Sequence, residues 1–320
     1  TDGTEEIVRR YSDRGVRLLG LPRAGKAAAL NAAVAESEAE VLVFSDANSM
    51  FAPDAVRQLV RPLADPRVGG VAGDQRYAKG TGDGAVGKGE QSYWNFDRWL
   101  KYHQSRSGNV ISATGAIYAI RRKLFRPVPE GVTDDLVTST RVIAQGHRLV
   151  FAPEAAAYEP VADTGRVEFG RKVRIMTRGF RGMLAIRGLF NPLRHGFYAV
   201  QLFSHKLLRR MVAMPLVLAL LFSAWLWPEG AVYRAAFLGQ IVFYALGLLG
   251  LVLHDTRFGK MKIISLPCYF CLVNAASLVA AWKVLSGQKI VVWQPERASS
   301  HSEDRTALPL NRGVSHAAGD

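Results

Sequence analysis

A chain of 320 residues with 49% hydrophobic and 21% charged residues can fill a sizeable core, and its formal net charge of +14 suits an anionic partner such as nucleic acid, lipid headgroups or a diphosphate substrate. Much of the basic excess lies in residues 166 to 210, directly ahead of a stretch from 211 to 285 that is nearly free of charge outside one short loop. That placement favours a lipid surface over a nucleic-acid module, whose basic residues would form a soluble stripe.

In chain order, Thr1-Asp2-Gly3-Thr4 is turn chemistry leading into a helical run from Glu5 to Tyr11, as though a strand should precede it. No signal peptide opens the sequence. Val16–Leu19 is a short strand candidate. Leu21–Gly25 is a loop ending where an Ala-rich helix starts at Lys26, a position at which backbone N–H groups and a cation could receive phosphate oxygens. Gly25-Lys26 is not a P-loop, since the upstream glycine and the following Ser/Thr are missing.

Val41–Phe44 is an apolar run that stops at Ser45-Asp46-Ala47-Asn48-Ser49. It reads as a buried parallel strand delivering Asp46 and Asn48 to the carboxyl edge of an α/β sheet, where ligands bind. Oxygen ligands at i, i+2 can share a hard divalent cation, Mg2+ or Mn2+, which in turn holds a diphosphate. The competing reading is a turn that caps the helix starting near Pro53.

A helix over residues 53–63 and a strand over Val68–Ala72 follow. The glycines at 80, 82, 84, 87 and 89 lack a leading strand and an apolar helix, so they read as a mobile loop and not as a dinucleotide fingerprint. Glu90–His103 reads as a helix whose aromatics, Tyr93, Trp94, Phe96, Trp99 and Tyr102, are expected in the core, with a sugar platform as the alternative. Small residues at Ser112–Ala116 precede the strand-like Ile117–Ile120 and permit close approach of backbone to a ligand.

Thr133-Asp134-Asp135 opens a helix running to about Gln145, and Leu149–Glu154 reads as another strand. Adjacent side chains on a helix diverge by about 100°, so one carboxylate can reach a cleft while the other caps or orients. The alternative is a charge pair favoured only by the helix dipole.

From Arg166 to Arg194 the pattern is basic and amphipathic, the make of helices that lie in the headgroup plane. Runs at 211–227, 231–253 and 263–285 each approach the ~20 residues needed to cross a bilayer. The two cysteines, Cys268 and Cys271, lie in the last run and read as buried thiols, since no second pair or nearby His supports zinc. Arg257, Lys260 and Lys262 in the 254–262 loop put that loop and the N-terminal domain in the cytoplasm, although three crossings would leave Lys289 and Arg297 outside. The expected organisation is a catalytic domain at 1–165, interface helices at 166–210, membrane helices at 211–287 and a polar tail at 288–320, disordered at its end.

With these residues in place, the chain resembles membrane-embedded family 2 glycosyltransferases, the group of cellulose, hyaluronan and poly-N-acetylglucosamine synthases, from Asp2-Gly3-Thr4 through Trp293. Lys26 to Asn31 is similar to the family's lysine-to-Leu-Asn helix start beside the nucleotide, and Asp46-Ala47-Asn48 to its metal-binding Asp-x-Asp. Gly115-Ala116 falls where the family places small residues near the sugar. Thr133-Asp134-Asp135 resembles Thr-Glu-Asp, whose last carboxylate, here Asp135, is the catalytic base. The resemblance implies a GT-A-like nucleotide-sugar-binding domain with a mixed, mostly parallel sheet, lacking its first strand here, then amphipathic and transmembrane helices.

Three departures accompany the resemblance. Asn48 replaces an aspartate, which lowers cation affinity. Arg171-Lys172-Val173-Arg174-Ile175 keeps Arg174 as a donor-binding cation but lacks the tryptophan that stacks on the acceptor sugar in processive members. Arg178 and Arg187 match only the amphipathic pattern and are assigned to headgroups. The family's first strand is missing, as in a reading of a longer protein.

The implied activity is a metal-dependent, inverting transferase in the inner membrane, with its catalytic domain in the cytoplasm. It moves a sugar from a UDP-linked donor to a growing polysaccharide, against an anionic lipid surface and with an export partner left unnamed. Alternatives are a single addition to a lipid-linked or small acceptor, favoured by the absent tryptophan, and a catalytically inactive membrane partner protein.

Overall fold

The computed structural model describes residues 3–77, 85–159, 168–253, 256–259, 261–288 and 290, with side chains for all of these except 77, 85–95 and 168. The α/β half comprises α1 (Thr4–Arg9), α2 (Lys26–Ala35), β1 (Val41–Phe44), β2 (Met50–Phe51), α3 (Ala55–Val60), β3 (Val68–Tyr77), α4 (Ala85–Ser107), β4 (Tyr118–Arg121), α5 (Asp134–Ala144) and β5 (Arg148–Glu159). The helical half comprises α6 (Glu168–Ala185), α7 (Pro192–His195), α8 (Phe197–Leu202), a π-helical turn at Phe203–Leu207, α9 (Ala213–Trp225), α10 (Ala231–Val252) and α11 (Lys262–Leu285).

The strands form one mixed sheet in the order β1-β4-β3-β5-β2. β1, β3 and β5 share a direction, but β4 returns between β1 and β3, so only β3 and β5 pair in parallel and the other pairs are antiparallel. The parallel majority expected from the sequence therefore holds for strand directions and not for hydrogen-bonded pairs. β1 is an edge strand among the described residues: Leu42 is buried, whereas Val43 is 39% exposed. Val16–Leu19 forms no strand, and Val16 and Leu18 stay exposed with no ladder to join among the described residues.

Helices cover both faces of the sheet. On one face Leu30 and Val34 of α2 and Leu136, Val137 and Ile143 of α5 pack on Leu42, Tyr118, Ile120 and Leu149. On the other, Ala55 and Leu59 of α3 pack on Val71, Ile117 and Ala119. The first core continues through Met183, Ile186, Leu189, Tyr198 and Leu202, so the stretch expected to be a separate interface unit shares its core with the α/β half. Truncating a fully buried leucine such as Leu202 to alanine would cost about 2–5 kcal/mol.

The aromatic stripe of α4 is not core: Phe96, Trp99 and Tyr102 are 56%, 57% and 43% exposed. The sheet beneath α4 presents a buried carboxylate, Asp74, which receives Arg98 Nε at 2.8 Å. The inward side of the helix accordingly carries Lys101 and Gln104, and the aromatics turn out and stack on one another. Gly87 and Gly89 lie inside α4, which overturns the loop reading for that pair. The glycines at 80, 82 and 84, the side chains of Tyr93 and Trp94, the polar tail from 291, Lys289, Arg297, His254 and Lys260 lie outside the described residues.

Among the described residues, two helices are long and apolar enough to cross a membrane, α10 and α11. At 1.5 Å per residue they reach about 33 and 36 Å against a hydrocarbon core of about 30 Å. α9, with 13 residues, reaches only about 20 Å. It spans only if joined to Phe197–Arg210, from which it is bent by 63°, so the expected run at 211–227 is not a single spanning helix. Gly247 and Gly250 of α10 face the half-buried thiols of α11: an added Cβ would stand 2.7 Å from Cys271 Sγ and 2.5 Å from Cys268 Cβ. The cysteines are thus packing residues where two helices approach closely.

α6 lies along α11 and does not present all of its basic face outward. Lys172 Nζ donates to Tyr269 Oη at 3.0 Å and Arg181 Nη1 donates to the Gln288 carbonyl at 3.1 Å.

Candidate active site

Phe44 of β1 lies opposite Tyr118 of β4, with the rings stacked at 4.6 Å. Continued past the end of this antiparallel ladder, the register sets Asp46 across from Gly115-Ala116. A Cβ at residue 115 would stand 2.5 Å from Asp46 Oδ2, so glycine is what lets the carboxylate lie against the backbone. Asn48 sits in the exposed turn that follows, closed by the Ser49 N–H donating to the Asp46 carbonyl at 3.1 Å.

Lys26 comes from the first turn of α2, entered through Gly25 at φ 89°, a conformation that favours glycine. Asn31 on the same helix donates to the Val128 carbonyl at 3.0 Å and accepts from its N–H at 2.8 Å, which ties α2 to the segment leading into α5. The outcome is a bridge: Lys26 Nζ is 2.6 Å from Asp46 Oδ1 and 3.0 Å from Asp134 Oδ2. Burial opposes the ammonium charge, but Asp134 and Asp46 outweigh it and hold Lys26 above its ordinary range.

Asp134 and Asp135 open α5 and meet different surroundings. Asp134 is buried between Lys26 and Arg178, whose Nη2 is 3.9 Å from Oδ1. Arg178 Nε also donates to the Val132 carbonyl at 3.0 Å, clasping the turn before α5. Asp135 Oδ1 accepts from the Leu136 N–H at 2.7 Å. Burial, then the neighbouring Asp134 charge, pushes the Asp135 carboxyl above its ordinary value, while the Leu136 N–H, Lys26 and Lys206 pull it back. Ser139 Oγ donates to the Asp135 carbonyl at 2.6 Å and accepts from the Ala113 N–H at 3.0 Å, fixing α5 against the segment that carries Gly115.

Of the residues singled out from the sequence, Lys26, Asp46, Asp134 and Gly115 meet directly, and Asp135, Ala116 and Asn48 adjoin them. Arg174 is one helical turn before Arg178, and the α6 cation in contact with Asp134 is Arg178, which the sequence pattern had assigned to headgroups. A contact between a loop and the middle of a later helix leaves no periodic trace. Sequence reasoning also missed three buried oxygens: Thr114 Oγ1, which has no hydrogen-bond partner among the described residues, and Tyr118 Oη and Thr138 Oγ1. Burial, then Asp135 and Asp134, pushes the Tyr118 phenol well up. A fourth omission is Lys206 on the π-helical turn, whose ammonium is drawn down to about 8 by burial and then by Arg210.

The donor set at β1 fits a hard cation completed by other oxygens. Lys26 occupies Asp46 Oδ1, leaving Oδ2 and the Asn48 amide, and Mg2+-type sites are commonly made from one or two protein oxygens plus substrate phosphates and water. Among the described residues no group of three His, Cys, Asp or Glu side chains would hold a metal alone.

Residues 1–128 match the family model for glycosyl transferase family 2. The N-acetylglucosaminyltransferase of Rhizobium meliloti (strain 1021) is 28% identical over 170 residues, covering 49% of this chain and 40% of that protein. That of Rhizobium leguminosarum bv. viciae is 25% identical over 165 residues, covering 48% and 39%. The chain thus spans about two fifths of the length of these curated relatives. Among solved structures, the mannosyltransferase PcManGT from Pyrobaculum calidifontis, in complex with GDP-Man and Mn2+, superposes with a TM-score of 0.61 at 22% identity, covering 90% of this chain and 76% of that one. The mixed sheet, its Asp46 edge and these matches agree on a GT-A-like fold, with residues 1–128 similar to the family 2 glycosyltransferase model.

Proposed function

We propose that the chain transfers a sugar from a nucleoside-diphosphate donor to an acceptor hydroxyl placed at Asp135, with inversion at the anomeric carbon. The observation that carries this reading is the Lys26 bridge between Asp46 and Asp134 beside the shielded Asp135. Lys26, at the start of α2, and the Asp46 edge form the donor side, where cations and helix N–H groups favour a diphosphate. Asp46 and Asn48 would hold Mg2+ or Mn2+, whose charge when bound neutralises the departing diphosphate.

Asp135 takes the acceptor proton as that oxygen bonds to the anomeric carbon. The bond from that carbon to the diphosphate breaks, and its electron pair leaves with the nucleotide. Inversion follows because Asp134, the carboxylate next to Asp135, is held by Lys26 and Arg178 and is not offered as a second nucleophile. The N-acetylglucosaminyltransferase relatives favour UDP-N-acetylglucosamine as donor, and PcManGT supports a divalent cation with a nucleotide-sugar.

α10 and α11 serve as membrane crossings in this reading, with the α/β half on the cytoplasmic face of the inner membrane and the basic stretch 166–210 against anionic lipid. A growing glycan is the first candidate acceptor. Single addition is favoured by Ile175, which is exposed and aliphatic where processive members stack a tryptophan on the acceptor.

The test is radiolabelled transfer by the full chain in detergent or membranes, comparing UDP-N-acetylglucosamine with UDP-glucose and with GDP-mannose in the presence of Mn2+. Label transfer that requires both the cation and Asp135 supports the reading. Product length separates polymerisation from single addition, and the anomeric coupling of the product checks inversion. Nucleotide binding without turnover on any of the three donors would overturn it.

A further inference from the structure

The turn that carries Asp46 and Asn48 leaves β1 at one end of the sheet and re-enters it as β2 at the other. Its β1 side is fixed by the ladder with β4 and by Phe44 stacked on Tyr118. Its β2 side has less backbone to hold it. β2 is two residues long, with Met50 opposite Tyr158 and Phe51 opposite Ala157 of β5. Asn48 stands nearer in the chain to that short ladder than to β1.

Continued one residue beyond the ladder, the antiparallel register sets Ser49 across from Glu159, the last residue of β5. The side chains follow the register: Ser49 Oγ donates to Glu159 Oε1. Glu159 Oε2 accepts from Gln75 Nε2 at 2.6 Å. Gln75 lies on β3 opposite Ala157, two residues from Glu159, so the pair meets diagonally on one face of the sheet. β3 is itself tied down here: Arg76 Nε donates to the buried Asp74 carboxylate at 2.7 Å, and Arg76 Nη2 donates to the Pro153 carbonyl at 2.9 Å. Glu159 is thus engaged by the turn through one oxygen and by the fixed part of the sheet through the other.

The proposed transfer gives Glu159 no task, since it belongs neither to the Lys26 bridge nor to the base. Its bonding is that of an anchor. A hydroxyl donating to a carboxylate makes a charge-assisted bond, stronger than a neutral one. Both partners are half-buried, so water competes for the bond less than at an open surface. The Ser49 N–H already closes the turn on the Asp46 carbonyl at 3.1 Å. Fixing the Ser49 side chain as well restricts where Asn48, the residue before it, stands relative to Asp46.

Resting on the proposed transfer and on Asp46 and Asn48 as its cation ligands, we infer that Glu159 is a positioning residue for the divalent cation. Through Ser49 it holds the Asn48 amide in place, and Gln75 in turn holds Glu159. With the tie cut, the turn presents Asn48 correctly for only a fraction of the time, and the apparent affinity for the cation falls by that fraction. Saturating cation reassembles the turn, so the loss lies in binding and not in the chemical step.

The experiment uses the full chain in detergent with UDP present and measures free Mn2+ by electron paramagnetic resonance, which reads binding without turnover. Thermal unfolding without metal reports the fold of each variant. Ser49→Ala and Glu159→Ala should each raise the Mn2+ dissociation constant about tenfold, the change for a turn that is correctly placed about a tenth of the time. The double variant should lose no more than the weaker single one, because both cut the same tie. Glu159→Gln should retain most of the affinity: its amide oxygen still accepts from Ser49, and Gln75 can turn its own amide to accept from the new NH2. In transfer assays the half-maximal Mn2+ concentration should rise in step, while kcat at saturating Mn2+ stays within about twofold of wild type. Unchanged Mn2+ affinity in folded Ser49→Ala and Glu159→Ala, or additive losses in the double variant, overturns the inference and leaves the proposed transfer standing. So does a loss in Glu159→Gln equal to that in Glu159→Ala, which would mean that the charge of Glu159 acts on the cation and the tie does not. A wild-type chain that binds no Mn2+ with UDP overturns the cation site at Asp46 and Asn48 itself, and this inference with it.

Discussion

Two carboxylate-bearing turns meet at Lys26, and they are built to opposite specifications. The turn after β1 is open: the Asp46 side chain is 37% exposed, Asn48 is exposed, and β1 is an edge strand among the described residues. The start of α5 is closed: the Asp134 side chain is 9% exposed and held by two cations, and Asp135 is shielded enough to resist ionisation. An open edge lets a nucleotide and its cation exchange with water. A closed one keeps a base desolvated and aimed, with the cost of burying charge offset by Lys26 and Arg178. On the proposed function, the contrast gives binding to one turn and proton transfer to the other, and variants on each side can break it.

The largest effect is expected at the closed turn. Asp135→Asn removes the proposed base while keeping the shape, so transfer should fall by about 10² or more with UDP affinity unchanged. The wild-type pH profile carries the same information. The base works only when ionised, and its folded-state pKa lies above the ordinary carboxylate value, so kcat/KM should fall as pH drops through that raised pKa and level off above it. Full activity for Asp135→Asn in a UDP-binding protein would move proton transfer elsewhere.

Gly115→Ala probes the open turn without touching a charged group. Its Cβ would meet the end of a side chain, Asp46 Oδ2, and not backbone, so the fold should tolerate it while the carboxylate is displaced. Transfer should drop by about tenfold to 10²-fold, on the scale of a small misplacement near the reacting atoms, with thermal stability nearly unchanged. A stable variant with wild-type activity would show that the position of Asp46 does not matter.

Arg178→Ala and Arg174→Ala ask which α6 cation supports the closed turn. Arg178 touches both Asp134 and the Val132 carbonyl, so its loss should lower transfer about tenfold, the scale of a charge-assisted contact. Arg174→Ala should cost less. Steady-state kinetics on both variants with equal UDP affinity checks the order, and the reverse order would restore the assignment that the sequence pattern suggested.

What could be seen in the sequence followed local chemistry. The apolar run ending at Asp46 and the Asp134-Asp135 pair at a helix start are signals written in consecutive residues, and β1 and α5 form where those signals lie. The Lys26 bridge was half legible: the helix start was, but its approach to Asp134 depends on Asn31 clamping Val128, 97 residues away. Long-range pairings explain the misses too. β4 returns to the middle of the sheet, making most pairs antiparallel. The aromatics of α4 had helical spacing, yet the buried Asp74 and the backbone beneath drew the polar side of that helix inward. Arg178, Lys206 and Tyr118 become site neighbours only once separate elements pack.

The smallest and most specific effect is expected from Asn48→Asp, which sharpens the comparison by adding charge to the open turn alone. An amide oxygen can coordinate a hard cation, but a carboxylate adds a negative charge, and affinity in such sites rises with ligand charge. Residue 48 is exposed, so the new carboxylate carries little desolvation cost, and Lys26, 2.6 Å from Asp46, already moderates repulsion between neighbouring acids. The Mn2+ concentration giving half-maximal transfer should therefore fall severalfold while kcat and the pH profile, both governed by the closed turn, stay where they were. A metal titration of wild type and variant, read alongside the pH dependence, decides the matter. If the pH profile moved with the metal requirement, the two turns would titrate as one unit and the division between binding edge and catalytic edge would fail.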